Sequence, residues 1–283
     1  MIDELERIEG ALLGTIVGDA LGLPFEGTPI GDLPRLHRAL ARRIEAPRCW
    51  DYSDDSEMML ALADSVIRVR GIDSRDILET LAARCDVARG YGKGMRTTLR
   101  AWRESRDEWS AARATWEAGS RGNGGVVRLA PVIALHRHEH LEVALDAAAR
   151  SAATTHCHPD ALCAARGFGE ALWRAFRGDH APIERSDPIE VVVRKLGHGV
   201  LAAESVPLAL WTWEHTSSFR DAVLTAVGAG GDTDTIGAMV GALAGATYGS
   251  AAIPPDWLDA LVGNTVQSTR HTARELRRCR LAG

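Results

Sequence analysis

The sequence has little of what marks a secreted or membrane-spanning protein. Its five cysteines are scattered over 283 residues and none forms a C-x-x-C pair, so no disulfide framework is predicted. The first residues are acidic rather than basic, and no uncharged apolar run reaches the roughly 20 residues that a bilayer span requires. We therefore expect a reducing, cytoplasmic location and no membrane partner.

Positive charge is not in excess either. The chain has 33 Lys and Arg against 38 Asp and Glu, which gives a formal net charge of -5. Such a protein has no broad attraction for a phosphate backbone, so binding to nucleic acid is not expected. Apolar residues make up 46% of the chain, which is enough for a sizeable core.

Alternating β-branched residues are nearly absent, and helical spacing dominates instead. Four apolar stripes with steps of three and four begin at Ile8, Met58, Leu141 and Ile236. In the first stripe, Gly14, Gly18 and Gly22 follow one another at steps of four, which gives that helix a smooth face for another backbone.

Only short segments depart from the helical pattern. Residues 191–193, three valines, are the one plausible strand. Residues 28–52 and 178–188 contain prolines among charges, which predicts irregular structure, yet neither stretch is long enough to separate domains. The sequence therefore predicts a compact all-α bundle of ten or more helices, forming a single domain over residues 1–283.

Two acidic segments lie directly before two of the apolar stripes. Their oxygen-bearing residues are Ser53, Asp54, Asp55, Asp232, Thr233, Asp234 and Thr235. Each segment can be read as a helix start, and Asp54 followed by Glu57 matches a capping box. A cap needs only one side-chain oxygen, however, whereas each segment offers two carboxylates. Gly230 and Gly231 precede the second segment and indicate unusual backbone angles or a close approach.

The two segments gain a further interpretation when they are taken together. If the fold brings them together, four carboxylates share a small space and repel one another. Divalent cations would remove the conflict, and donors that are all oxygen suit Mg²⁺, Mn²⁺ or Ca²⁺. Two cations bridged by a carboxylate are the arrangement of two-metal hydrolases.

Six motifs, in order over nearly the whole chain, resemble those of the ADP-ribosylglycohydrolase family. They lie at residues 10–26, 53–56, 122–131, 155–159, 204–207 and 231–237. The resemblance implies an all-α orthogonal multi-helix bundle with a binuclear metal site, two Mg²⁺ or Mn²⁺ ions, at helix N-termini. One departure is that both hydroxyl positions of the first metal loop are serine, which lacks the methyl group that stiffens threonine.

The resemblance also implies roles for individual residues. The implied metal ligands are Ser53, Asp54, Asp55, Asp232, Asp234 and Thr235. The implied catalytic residues are Glu26, Asp55 and Asp234. The implied substrate-binding residues are Gly122, Asn123, Gly124, Gly125 and His156.

Several of these residues also have ordinary interpretations. An isolated glutamate such as Glu26 is usually a solvated surface group. The glycines at 122–125 can form a flexible turn, or they can present backbone N–H groups to a diphosphate. His156 and His158 do not have the spacing of a closed zinc site, and His158 can be structural. Trp211 and Trp213 can line an adenine pocket, although packing is the more common role.

The reaction that the resemblance implies is hydrolysis at C1″ of the distal ribose of an ADP-ribosylated acceptor, such as an arginine or serine side chain. Glu26 would position the 2″-hydroxyl or move a proton. The expected partner is therefore an ADP-ribosylated protein or a small ADP-ribose derivative. Two alternatives stay open: a hydrolase of a derivative such as O-acetyl-ADP-ribose, and a non-enzymatic relative that binds ADP-ribose or serves structurally.

Overall fold

Helices make up nearly all of the regular structure in the computed structural model, which describes residues 2–185 and 187–279. They are α1 Glu4–Gly22, α2 Leu33–Glu45, α3 Asp54–Val69, α4 Ser74–Arg84, α5 Lys93–Ser105, α6 Glu108–Arg113, α7 Ala130–Leu135, α8 Leu141–Ala153, α9 Pro159–Arg177, α10 Ile189–Leu196, α11 Ala202–Glu214, α12 Phe219–Gly228, α13 Thr233–Tyr248, α14 Pro255–Ala260 and α15 Thr265–Arg278. Within these described residues, β pairing is limited to three isolated bridges. The all-α prediction is confirmed.

The centre of the fold is an antiparallel contact between α1 and α13. Gly10, Gly14, Gly18 and Gly22 of α1 face Gly245, Gly241, Gly237 and Thr233 of α13. A Cβ atom added to Gly18 would lie 2.0 Å from the carbonyl oxygen of Gly237, so the two backbones could not keep their positions. The predicted smooth face is confirmed. Because the helices are antiparallel, the end of α1 lies beside the start of α13.

The other helices enclose this central pair. α11 and α12 pack on α13, α9 contacts both α8 and α13, and α15 packs on α1. By length and composition α1 is apolar enough to cross a bilayer, but 78% of that apolar stretch is buried in the protein, as in the core helix of a soluble protein. Interior packing therefore accounts for its apolar composition.

Two local predictions are wrong. The stretch predicted to be irregular, residues 28–52, contains α2, because Pro34 falls in the first helical turn, where a missing N–H costs nothing. The predicted strand at residues 191–193 lies within α10, which buries Val192 and Val193. Packing of these valines overrides their preference for strands. Residues 178–188 contain no helix among their described members, as predicted.

Candidate metal and substrate site

The loop that follows α1 pairs with the loop that precedes α13. The backbone N–H of Gly27 donates to the Gly231 carbonyl at 2.7 Å, and that of Gly231 donates to the Thr28 carbonyl at 2.8 Å. This pairing places Glu26 beside the second acidic segment. One oxygen each of Glu26, Asp232 and Asp234 lies within 4.8 Å of the other two.

The two glycines before this segment have the unusual backbone that the sequence indicates. Gly230 and Gly231 have φ of +73° and +71°, in the left-handed region. A Cβ atom on Gly231 would lie 2.0 Å from the carbonyl oxygen of His198. The Asp232 N–H donates to that same oxygen at 2.8 Å. The turn therefore requires glycine for both its conformation and its close approach.

The first acidic segment is held by Asp19, a residue of α1. The N–H of Ser53 donates to Asp19 Oδ1 at 2.9 Å, and the N–H and hydroxyl of Ser56 both donate to Asp19 Oδ2. The Asp19 side chain is fully buried. Sequence reasoning missed this function, although Asp19 is the one charged residue in the buried part of α1.

The acidic residues in these segments are not helix caps. Ser53 caps α3, since its Oγ accepts the N–H of Asp55 at 3.1 Å, so the capping box of Asp54 and Glu57 is wrong. Glu57 accepts instead from the Tyr91 hydroxyl. Asp232 occupies the cap position of α13, yet its side chain makes no capping bond.

The two acidic segments meet, as predicted. The hydroxyl of Thr235 donates to Asp55 Oδ2 at 2.7 Å. On the other side, the side-chain amide of Asn123 donates to Asp232 Oδ2 at 2.5 Å and to Ser205 Oγ at 3.1 Å. The residues that line the resulting cleft include Glu26, Ser53, Asp54, Asp55, Arg89, Lys93, Trp116, Gly122, Asn123, Gly124, His156, Asp232, Asp234 and Thr235. We call the carboxylate end of this cleft the acidic pit; it consists of Glu26, Asp54, Asp55, Asp232 and Asp234.

Burial and mutual repulsion disfavour the charged carboxylates of the acidic pit. Burial first, and then the nearby charges of Asp19 and Glu26, raise the pKa of Asp54 to about 7. The pKa values of Asp55 and Asp234 are raised well above the usual range, again first by burial and then by neighbouring aspartates.

Burial likewise raises the pKa of Asp232, and the pKa of Glu26 is raised first by burial and then by Asp232. Within the described residues, no Lys or Arg forms an ion pair with the five carboxylates of the acidic pit. All-oxygen donors with uncompensated negative charge fit hard divalent cations.

The glycine-rich loop lies over the ring of His156, next to the acidic pit. A Cβ atom on Gly125 would come within 2.9 Å of the His156 Cβ, so the loop packs too closely for a side chain there. Gly122, Asn123 and Gly124 line the cleft, whereas Gly125 packs behind them. In the part of the chain that the structure describes, the N–H groups of Gly124 and Gly125 have no acceptor. The Gly124 N–H, which belongs to the cleft wall, is therefore free to donate to a ligand.

The structure also places four residues outside the predicted set. His158 caps α9 and accepts the N–H of Asp160, so it is structural. Trp211 stacks on His215 and Trp213 is buried, so neither forms the cleft wall. Trp116 does line the cleft and is 50% exposed. No local signal in the sequence distinguishes it from the other tryptophans.

The fold and the cleft define a known class of hydrolase. The sequence profile of the family described as ADP-ribosylglycohydrolase matches residues 1–282. A solved structure titled "ADP-ribosylglycohydrolase-related protein complex" superposes with a TM-score of 0.76 and 30% sequence identity, covering 98% of both chains. The chain belongs to the ADP-ribosylglycohydrolase family.

The names of individual relatives all describe hydrolases of ADP-ribosyl groups, and two of the three names state an acceptor. The ADP-ribosyl-[dinitrogen reductase] glycohydrolase of Rhodospirillum rubrum is 30% identical over 90% of both chains. The ADP-ribosylhydrolase ARH3 of Danio rerio is 28% identical, covering 89% of this chain and 85% of that protein. The ADP-ribosylarginine hydrolase Tri1 of Serratia proteamaculans is 27% identical, covering 92% of this chain and 76% of that protein.

Proposed function

We propose that this chain hydrolyses the bond between ADP-ribose and an acceptor side chain, with two divalent cations, Mg²⁺ or Mn²⁺, in the acidic pit. The observation that carries the proposal is the meeting of the two acidic segments at the starts of α3 and α13. Buried carboxylates without a cationic partner are costly, and bound cations would offset that cost. We also propose that the chain works as one domain in the cytoplasm.

The proposed ligands come from both segments. Ser53, Asp54 and Asp55 would bind from one side, and Asp232, Asp234 and Thr235 from the other. When bound, divalent cations supply positive charge that holds ribose hydroxyls and lowers the pKa of a water molecule. Asn123 and Asp19 act behind the ligands, since one orients Asp232 and the other holds the backbone around Ser53.

The proposed role of Glu26 is to position the 2″-hydroxyl or to move a proton. Glu26 lies at the exposed edge of the acidic pit, within 4.8 Å of carboxylate oxygens on the second segment. The raised pKa of Glu26, due first to burial and then to Asp232, makes this carboxylate a stronger proton acceptor than an ordinary glutamate. Asp55 and Asp234 would act as catalytic residues by orienting the reacting groups from deeper in the pit.

The remaining walls of the cleft match the rest of ADP-ribose. The free N–H group of Gly124 suits a diphosphate oxygen. Lys93 and Arg89 line the same cleft and add positive charge. The exposed indole of Trp116 offers a flat apolar surface to a purine base.

The proposal is tested by release of ADP-ribose from defined ADP-ribosyl-arginine and ADP-ribosyl-serine peptides, with Mg²⁺, Mn²⁺ or a chelator. We expect metal-dependent release from one of the two peptides. A parallel arm with O-acetyl-ADP-ribose separates a protein substrate from a small derivative. ADP-ribose binding without turnover of any of these substrates would contradict the proposal and favour a binding protein.

A further inference from the structure

Arg128 carries a fully buried guanidinium that no carboxylate neutralises. Over residues 2–185 and 187–279, no Asp or Glu pairs with it. Its Nη2 donates instead to the Ser151 carbonyl at 3.3 Å, to Thr154 Oγ1 at 3.1 Å and to Thr155 Oγ1 at 2.8 Å. A buried cation without an anion is costly, so a protein keeps one where its hydrogen bonds have a use.

The contact with Thr155 fixes the direction of the next hydrogen bond. A guanidinium can only donate, so Thr155 Oγ1 is the acceptor in that contact and its own proton needs another partner. The hydroxyl is buried, and His156 Nδ1 lies 2.7 Å away. In the described chain, Thr155 Oγ1 has no other acceptor within hydrogen-bond distance. The hydroxyl therefore donates to His156 Nδ1.

An Nδ1 atom that accepts a hydrogen bond carries no proton, so the proton of the neutral ring is on Nε2. This atom faces the glycine-rich loop. A Cβ atom added to Gly124 would lie 3.3 Å from Nε2, and one added to Gly122 would lie 3.5 Å away. Both glycines line the cleft, and among the described residues Nε2 has no hydrogen-bond partner.

We propose that Arg128 and Thr155 are positioning residues, which hold His156 as the neutral tautomer that donates from Nε2 to an acceptor oxygen of the substrate. The substrate part of this inference rests on the proposed function. The tautomer itself does not, since it follows from the contacts of the free protein.

The electrostatics of the pair agree with this geometry. Burial first, and then the charge of Arg128, lower the pKa of His156 to about 3. Burial also lowers the pKa of Arg128 to about 10, which leaves it charged at neutral pH. The ring therefore stays neutral, and the Nε2–H donor is present, throughout the physiological range.

Nitrogen-15 spectra of histidine-labelled protein test the tautomer directly, because the two neutral forms give different pairs of ring-nitrogen shifts. Loss of one spin system in His156→Gln assigns the signal. In the ligand-free wild type we expect the Nε2–H form, with no titration between pH 5.5 and 8.5. The Nδ1–H form, or a titrating ring, would overturn the proposal.

Three variants separate positioning from general packing. Thr155→Val keeps the side-chain shape but removes the donor, so we expect a mixture of tautomers and an affinity for ADP-ribose that falls about threefold to tenfold. Thr155→Ser should restore both. Thr154→Val is the matched control, since Thr154 also contacts Arg128 but makes no bond to His156. An unchanged tautomer of His156 in Thr155→Val would show that Thr155 does not position the ring.

Binding measurements distinguish this inference from the proposed function. The Nε2–H form in the free wild type, lost in Thr155→Val, would support the positioning role whatever the substrate is. Equal affinity of the wild type and His156→Ala for ADP-ribose would then show that the proposed substrate contact of His156 is wrong.

Discussion

Carboxylates stand at two groups of helix starts in this protein, and only one group uses them as caps. At the surface, Asp3, Asp73 and Asp107 each accept a backbone N–H from the first turn of their helix. At the acidic pit, Asp232 makes no such bond, and a serine caps α3 in place of Asp54. The local sequences are alike, but the surroundings are not. Asp234 accepts the N–H of its neighbour Thr235 at 2.9 Å, and neither Asp54 nor Asp232 caps its helix.

The largest effect is expected from neutralising the acidic pit. Asp232→Asn and Asp234→Asn should each abolish turnover, by on the order of a thousandfold or more, because a hard cation loses a charged ligand and its bound water loses activation. Calorimetric Mn²⁺ titration beside the release assay measures both effects.

The same two variants should keep the fold. Asparagine has nearly the size of aspartate, and without cations the cluster would contain one fewer repelling charge. We therefore expect thermal unfolding in chelator at or above the wild-type temperature. Wild-type metal affinity and turnover in both variants would make these aspartates equivalent to those at the surface and remove the distinction between the two groups.

The next prediction concerns the glycine contact between α1 and α13, which brings the residues of the acidic pit together. Gly18→Ala should destabilise the protein by about 3 kcal/mol or more, because the added Cβ meets the Gly237 backbone at 2.0 Å and neither helix can move alone. Gly167→Ala in α9 is the control. A Cβ there meets nothing within 4 Å, so we expect a gain of about 0.5–1 kcal/mol from helix propensity. Denaturant unfolding of both variants checks the pair, and a tolerated Gly18→Ala would contradict the close contact.

The sequence predicts the features that repeat with helical spacing. The apolar stripes and the glycine face of α1 follow from spacing alone, and the family resemblance identifies the two acidic segments as one site. The role of Asp19 could not be predicted, since its partners Ser53 and Ser56 lie more than 30 residues away and only the tertiary fold joins them. The same holds for Arg128, whose buried contacts involve residues 151–155. The roles of the metal ligands and of Glu26 stay predictions.

When cations are absent, the pH dependence of stability should distinguish the acidic pit from the carboxylates at the surface. The pKa of Asp54 is raised by burial from the ordinary 3.8 to about 7. The folded state thus holds a proton that the unfolded state releases, so stability is lost as pH rises between these two values. In chelator, the unfolding temperature should fall from pH 5 to pH 8, and Asp54→Asn should reduce that fall by on the order of 5 °C. An identical pH dependence in the wild type and the variant would show that Asp54 does not titrate in this way.

The smallest effect belongs to a surface cap. Asp73 is exposed and accepts the Asp76 N–H at 2.9 Å, which satisfies one of the free donors at the start of α4. Asp73→Ala removes this bond, so we expect a loss of about 1 kcal/mol, seen as a fall of about 2–4 °C in the unfolding temperature. Asp73→Asn keeps a capping oxygen and should behave like the wild type.

Turnover and Mn²⁺ affinity should not change in either Asp73 variant, because Asp73 does not line the cleft. This outcome is the reverse of the one expected at Asp232 and Asp234, where activity is lost and stability is kept. A loss of metal affinity in Asp73→Ala at temperatures where the protein is fully folded would mean that the helix starts at the surface and at the pit are coupled. The distinction between capping carboxylates and ligand carboxylates would then not hold for Asp73 at the start of α4.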